Sequence, residues 1–354
     1  MRLIDHPLYQ EDLHSIASAP FLPWDALKGS SVFISGATGM IGSSLIDAIM
    51  FKNRKDGLDC RIFALSRNKG NASSRFSDWC NSSLLSIIEG DVNAPIPFPE
   101  GLSCEYVLHL ASNTHPVAYA TDPIGTITAN IIGTRNMLDL AVRTSAKRFL
   151  FASSNEIYGE NRGDCEVFDE SYLGYIDCNT LRAGYPESKR CGEALCQAYR
   201  SQKGLNFAIA RLTRSFGPTL RLSDTKALTQ FLKNGLNGED IVLKSAGNQY
   251  YSYTYVADAV TGLLTVLLKG QNGEAYNVAD SSCDIRLKDL AQHIADISGT
   301  RVIFQLPDDI EAAGFSKATK ARLDGTKLKK LCWEIKHPLR PAIERTLKIL
   351  KDTI

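Results

Sequence analysis

The chain has 354 residues, with 40 Lys and Arg against 39 Asp and Glu. A charge this balanced excludes bulk attraction to nucleic acid or to an anionic membrane, though a few local cations could still hold a small anion. The nine cysteines contain no C-x-x-C pair, no secretory signal is recognised, and no apolar run approaches the roughly 18 residues that cross a bilayer. The expectation is a soluble, cytoplasmic protein with reduced thiols, no metal site, and neither nucleic acid nor membrane as a partner.

Residues 1–30 read as a preamble, an amphipathic YQEDLHSIA followed by FLPWDALKG, expected to pack on the main body. Short β-rich runs then alternate with helical patterns. SVFIS (31–35) is a buried-type strand followed by a helix to about Lys52, and RIFALS (61–66), LLSII (84–88) and YVLHLA (106–111) are further strands. A helix from Pro123 to Arg143 precedes the strand RFLFAS (148–153). Another helix, from about Tyr185 to Gln202, precedes NFAIARL (206–212). Such alternation predicts an α/β Rossmann fold, a doubly wound parallel sheet with helices on both faces. From Gly217 the rhythm breaks into mixed helices and short strands, ending in a helix near Pro341–Lys351. The predicted division is an extension at 1–30, a dinucleotide-binding domain at 31–216, and a smaller, interleaved substrate lobe at 217–354.

SGATGMIG places Gly36, Gly39 and Gly42 between the first strand and its helix, with Met40 and Ile41 opening that helix. In this context the first glycine permits a tight turn and the second lets backbone approach a pyrophosphate. The third lets helix and strand pack closely, and the helix N-terminus favours an anion. The predicted ligand is a nicotinamide dinucleotide. At the tip of the second strand, Ser66 and Arg67 stand where an acidic residue would bind the ribose of NAD, which leans the expectation towards NADP. Asp91 after the third strand is placed to meet the adenine amino group, and Ala111 and Ser112 end the fourth strand close to the dinucleotide.

YPESK sets Tyr185 and Lys189 on one helical face. A nearby ammonium favours the phenolate, so Tyr185 is expected to take a proton from an alcohol while hydride leaves the same carbon. Tyr199 and Lys203 repeat the spacing, but they lie roughly 20 Å further along the helix. Ser154, at the end of the preceding strand, is placed to hydrogen-bond the reacting hydroxyl.

The glycine triplet, ITANIIGTRNML with Asn130, the strand-end serine and Tyr-x-x-x-Lys together resemble the extended short-chain dehydrogenase/reductase family. So do RSFGP (214–218) and YSYTYVADAV (251–260). Within it the chain is most similar to nucleotide-sugar enzymes of the epimerase/dehydratase group: UDP-glucuronate decarboxylases, dTDP-glucose 4,6-dehydratases and 4-epimerases. The resemblance implies a nucleoside-diphosphate sugar between the lobes, transient oxidation at C4 by bound NAD or NADP, a homodimer, and Glu156 as base at C5. It also implies that Asn130, counted with the substrate-binding residues, belongs to the structural or proton-relay apparatus of the site.

Three departures narrow this. Asn155 stands where 4,6-dehydratases carry an aspartic acid, and an amide cannot act as a Brønsted acid. Arg214 replaces the family's asparagine and Tyr251 its arginine, at positions that usually touch the sugar nucleotide. Arg221 and Lys226, with Arg214, are then the expected cations for the substrate diphosphate. Lys320, Ala321 and Arg322 fall near the place of a late arginine in the decarboxylases, and the register leaves its equivalent open. Epimerisation or decarboxylation with a recycled cofactor is the leading expectation. An NADPH-dependent reductase of a 4-keto sugar is the first alternative, and a catalytically silent nucleotide-binding subunit the second.

Overall fold

Seven parallel strands form the central sheet of the computed structural model, which describes residues 1–114, 116–305 and 319–354. They are β1 (Ser31–Ser35), β2 (Arg61–Ser66), β3 (Leu85–Glu89), β4 (Tyr106–His109), β5 (Arg148–Ser154), β6 (Phe207–Leu212) and β10 (Ala275–Val278). Their spatial order is β10–β6–β5–β4–β1–β2–β3, and every pairing is parallel. Strand side chains alternate between faces, so a sheet covered on both sides buries the whole run. Val32, Ile34, Leu108, Leu150 and Ala208 join one core with Leu45 and Ile49 of helix α2 (Met40–Asp56) and with Leu263 and Val266 of helix α8 (Val256–Lys269). Phe33, Val107, Phe149, Phe151 and Phe207 join the other with Met137 and Leu138 of α5 (Pro123–Arg143) and Cys196 of α6 (Gly184–Lys203).

Local signals set the helix ends. Asp122 caps α5 by accepting from the Gly125 N–H at 3.0 Å, with Pro123 in the first turn. Gly204 ends α6 in the left-handed conformation at φ 68°. Strand β4 stops at His109, two residues before the sequence expectation. There the Leu110 and Ala111 N–H groups turn to Ser35 Oγ, at 3.2 and 3.4 Å. Helices α3 (Lys69–Arg75) and α4 (Pro116–Thr121) occupy stretches for which the periodicity predicted no element.

The second lobe holds a four-stranded sheet of β7 (Arg214–Phe216), β9 (Tyr250–Tyr255), β11 (Asp284–Arg286) and β13 (Lys320–Ala321). Around it lie α7 (Ala227–Asn237), α9 (Leu287–Ser298) and the C-terminal helix Leu339–Thr353. The lobes interleave deeply: after β9 the chain returns to cover the main sheet with α8 and to add its edge strand β10. Residues 256–278 therefore build the first domain although they follow the boundary at 217.

The preamble is part of the core. Helix α1 (Pro7–Ala17) buries Tyr9, Leu13 and Ile16, each 1% exposed or less. Burying each aliphatic chain stabilises by about 1.5–3 kcal/mol. Tyr9 Oη donates to Asp47 of α2 at 2.6 Å. Asp12 accepts from Tyr255 Oη and from Arg345 Nε, both at 2.6 Å. One short helix thus ties both lobes together.

Candidate active site

The strand order reverses between β1 and β4, and doubly wound sheets bind their ligands in the crevice at such a switch. The glycine turn lies there. Gly36 has φ 70°, and a Cβ on it would lie 2.7 Å from Ala111 N; one on Gly42 would lie 2.3 Å from the Gly36 carbonyl oxygen. The fold itself requires both glycines. Gly39 differs: a Cβ there meets only the Gly36 carbonyl oxygen, at 3.1 Å. Gly39 also caps α2 with no side-chain hydrogen bond, so the first-turn N–H groups, Met40 and Ile41 among them, face an open approach.

At the β2 tip, Ser66 is engaged internally. Its Oγ donates to the Asn68 carbonyl at 3.0 Å and accepts from the Asn68 N–H at 3.3 Å. Arg67 is exposed. Sequence reasoning missed Glu89, paired with Ser66 in register, which accepts from the Lys69 N–H at 3.2 Å and brings a carboxylate to this corner. Asp91 caps the turn after β3 by accepting from the Asn93 N–H at 2.8 Å.

The reactive set gathers at the end of β5. Ser154 Oγ accepts from the Glu156 N–H at 3.2 Å, which fixes the 3-10 turn Asn155–Tyr158. Tyr185 is 6% exposed, near the start of α6. Burial pushes its phenol up to about 12, opposed by hydrogen bonding to Ser154 and Ser112 and by the charge of Arg182. Lys189 Nζ donates to the Ala152 carbonyl at 2.8 Å and lies 4.9 Å from the Phe151 ring centroid. Burial pulls Lys189 down to about 7. The expected lowering of the tyrosine by the lysine is therefore not what this arrangement delivers. Desolvation dominates both groups, and the lysine points its donor at backbone. The rival pair is a surface feature, with Tyr199 Oη bonded to Asp139 at 2.6 Å.

Asn130 lies behind the site. It is fully buried; its Oδ1 accepts from Ser112 Oγ at 2.8 Å and its Nδ2 donates to Ser188 Oγ at 2.9 Å. It ties the β4 exit to α6. The sequence also gave no sign of two neighbours. Tyr119 stacks on Tyr185 with centroids 4.9 Å apart. His109, fully buried, bonds Ser35 Oγ through Nδ1 at 2.8 Å, and burial and then Lys189 push it down to about 3. A histidine closing an apolar strand carries no readable role until its neighbours are known.

Beside Tyr185 a cleft is lined by Asn155, Glu156, Tyr175, Arg182, Arg214 and Ala321. Glu156 does not stand free as a base would. Its Oε2 accepts from Arg182 Nη2 at 2.6 Å, and Oε1 lies 3.8 Å from Arg214 Nη2. The Arg214 guanidinium lies 3.5 Å from the centroid of the Tyr251 ring, and Arg182 lies 4.8 Å from that of Tyr119. Buried nitrogens of both arginines, Nε and Nη1 of Arg182 and Nη1 of Arg214, have no hydrogen-bond partner among the described residues. Only the position of Arg182, three residues before Tyr185, could have flagged it.

Two expected substrate cations sit elsewhere. Arg221 Nη2 donates to Thr38 O and Oγ1, at 3.1 and 3.0 Å, which places it on the glycine turn rather than in the cleft. Lys226 Nζ is paired with Asp224 at 2.9 Å and donates to Thr114 Oγ1 at 3.2 Å. Arg322 is held by Glu166 at 2.9 Å, so Ala321 is the member of that stretch at the cleft. Among the described residues no cluster of three His, Cys, Asp or Glu could hold a metal, and no helix is long and apolar enough to cross a membrane.

Comparison with known proteins agrees with this geometry. A profile of the NAD dependent epimerase/dehydratase family matches residues 32–279. UDP-glucuronic acid decarboxylase 5 of Arabidopsis thaliana is 30% identical over 317 residues, covering 88% of this chain and 86% of its own. UDP-glucuronic acid decarboxylase 1 of Danio rerio is 30% identical over 323 residues, covering 90% and 72%. An epimerase from Methanothermobacter thermautotrophicus superposes with a TM-score of 0.79 at 19% identity, over 98% of this chain and 97% of its own. A dTDP-glucose 4,6-dehydratase from Streptomyces venezuelae, solved with NAD, gives 0.78 at 20% identity, over 91% and 97%. The structural likenesses speak for the fold, and the profile and curated relatives for descent: the chain belongs to the NAD-dependent epimerase/dehydratase family.

Proposed function

We propose that the chain is an enzyme acting on a nucleoside-diphosphate sugar, oxidised transiently at C4, with epimerisation or decarboxylation following. The observation that supports this reading is that Ser154 ends β5 and Tyr185 and Lys189 open α6 beside a cleft walled by Glu156, Arg182 and Arg214, in the sheet whose glycine turn lies at the β1–β4 switch. The residues present fit a dinucleotide: Gly39 leaves an open approach to an uncapped helix end that no other part of the fold requires. Gly36, Gly39, Met40, Ile41 and Gly42 would hold its diphosphate, Asp91 its adenine end, and Ala111 and Ser112 its nicotinamide half. When bound, the nicotinamide supplies the hydride acceptor. Tyr185 in its phenolate form takes the proton of the C4 hydroxyl; burial opposes that form, and Ser154, Arg182 and a bound cationic nicotinamide would favour it. Ser154 orients the hydroxyl, and Lys189 braces α6 against β5. Arg67 offers a cation to the 2′-phosphate of NADP, while Glu89 on the next strand acts against that phosphate; NAD is the cofactor bound in related structures.

After the ketone forms, two routes diverge at Glu156. To serve as a base at C5 it must exchange the hydrogen bond from Arg182. Loss of carbon dioxide from a C4-keto uronic acid needs no such base, because the C5–C6 bond electrons pass into the ketone as an enolate, which is then protonated at C5. The unspent arginine donors suit a carboxylate there. The arginine-held Glu156, together with Asn155, also favours a second reading, net reduction of a 4-keto sugar. Incubation with UDP-glucuronate, UDP-glucose and a dTDP-4-keto sugar, followed at 340 nm, by product mass and by chromatography that resolves epimers, separates the routes. A new product with no net absorbance change is the expected result. Stoichiometric NADPH consumption would establish the reductase instead, and no turnover of any sugar nucleotide would overturn both.

A further inference from the structure

The cleft beside Tyr185 draws its walls from both lobes: Glu156, Gly159 and Glu160 from the turn that leaves β5, and Ala321 from β13. One side chain joins them. Asn277, in β10, is fully buried. Its Oδ1 accepts from Tyr158 Oη at 2.7 Å, and Tyr158 is the last residue of the turn that carries Glu156. Its Nδ2 donates to the carbonyls of Phe168 and Asp324, both at 3.0 Å. The Phe168 N–H donates to Arg322 O at 2.8 Å and the Asp324 N–H to Phe168 O at 2.9 Å, so the loop after β5 and the residues after Ala321 are laced together at this amide. The backbone N–H of Asn277 donates to Glu170 Oε1 at 2.7 Å. Carbonyls only accept, so the orientation of the amide is fixed. Register ties the junction to the reactive set. Asn277 pairs with Arg211 of β6, and Arg211 with Ser153 of β5, the residue before Ser154. The junction therefore shares a row of the sheet with Ser153, two strands or about 10 Å away. Arg211 Nη1 donates to Tyr158 Oη and to Glu170 O, both at 2.9 Å, while its Nε and Nη2 hold Glu193 of α6.

We propose that Asn277 and Tyr158 are positioning residues for the sugar end of the cleft, and that their hydrogen bond sets where Ala321 stands relative to the Glu156 turn. The inference rests on the function proposed above. Both side chains are fully buried, so they act through the backbone they hold and not by touching a substrate. The spacing matters because a misplacement of about 1 Å at a reacting centre costs up to about 10²-fold in rate.

The test is Tyr158→Phe in the full chain, which keeps the ring stacked on Phe168, with centroids 5.1 Å apart, and removes only the hydroxyl. The probes are UDP-glucuronate and UDP-glucose, whichever the wild type turns over, with NADH binding followed by nicotinamide fluorescence. At 25 °C kcat/KM is expected to fall about tenfold or more, while NADH affinity, set at the glycine turn, stays within twofold of wild type. Glu170→Ala, on the partly exposed side of the junction, should give a smaller loss of the same kind. Glu170→Gln, which keeps a carbonyl for the Asn277 N–H, should restore kcat/KM; this pair carries the test if Tyr158→Phe does not fold. Tyr172→Phe removes a hydroxyl of the same loop that bonds Asp164 outside the junction, and should change nothing. A lowered thermal midpoint with wild-type kcat/KM in Tyr158→Phe would make the bond merely structural and overturn the proposal. An equal loss of NADH binding, a sign of general loosening, would overturn it too. Failure of the wild type to turn over either sugar nucleotide would remove the function proposed above, and this inference with it.

Discussion

Replacing Lys189 by methionine should make the protein more stable while it abolishes catalysis, and the gain should shrink as pH rises. Lys189 is 2% exposed, and burial brings it from 10.5 to about 7. Below pH 7 both the folded and the unfolded chain carry the charge, and folding bears its full desolvation. Between pH 7 and 10.5 the folded protein releases the proton while the unfolded chain keeps it, so stability rises with pH across that window. At about 1.4 kcal/mol per pH unit, the buried site costs about 4 kcal/mol at pH 7 and about 2 kcal/mol at pH 9. Methionine matches the aliphatic stem and removes the charge. It also leaves the Ala152 carbonyl without its donor, a loss of about 1 kcal/mol. Lys189→Met is therefore expected to gain about 3 kcal/mol at pH 7 and about 1 kcal/mol at pH 9. Urea unfolding of cofactor-free protein at the two pH values measures this. A gap between variant and wild type that does not change from pH 7 to pH 9, or a variant destabilised at pH 7, would refute the reasoning.

The other expectations can be checked in parallel. Tyr185→Phe should lower kcat by about 10²–10⁴-fold with sugar-nucleotide affinity retained, whereas Tyr199→Phe, on the repeated motif, should leave kcat unchanged. Gly39→Ala should cost only about 1 kcal/mol, from crowding the Gly36 carbonyl oxygen at 3.1 Å and from a poorer N-cap, yet lose NADH binding. Gly42→Ala should fail on both counts. His337 sits between Asp12 and Asp258; burial opposes its charge, but the two carboxylates hold it up to about 9. Its contribution, about 3 kcal/mol, is complete below pH 6.5 and lost as pH rises through 9. His337→Phe should flatten that part of the stability profile. Asp12→Ala removes the acceptor of Tyr255 Oη and of Arg345 Nε, while Arg345 Nη2 keeps Glu11 and the Leu8 carbonyl, and should cost about 1–3 kcal/mol in the same unfolding assay.

Much of the candidate site was legible in the residues. The glycine turn, the strands flanking it and the Tyr185 helix follow from local chemistry. Positive φ, strand alternation and helical spacing act between neighbours in sequence, so a sequence can display them. The two Tyr-x-x-x-Lys matches could be ranked for the same reason: their places relative to a helix start differ. The partners of Asn130 were not legible, because Ser112 and Ser188 lie on other elements. Arg221 read as a cation for the substrate diphosphate, and only the path of the chain after β7 brings it to the glycine turn.

What the sequence determined by itself is the doubly wound sheet, the dinucleotide turn and the identities of Ser154, Asn155, Glu156, Tyr185 and Lys189. Each is set by a periodicity or a motif a few residues long. Only the tertiary structure decided what state those groups are in. Burial raises the Tyr185 phenol and depresses Lys189, and Arg182, folding back across 26 residues of chain, hydrogen-bonds Glu156. Desolvation and ion pairing depend on everything that surrounds a group in space, and a linear string carries that only once it has folded.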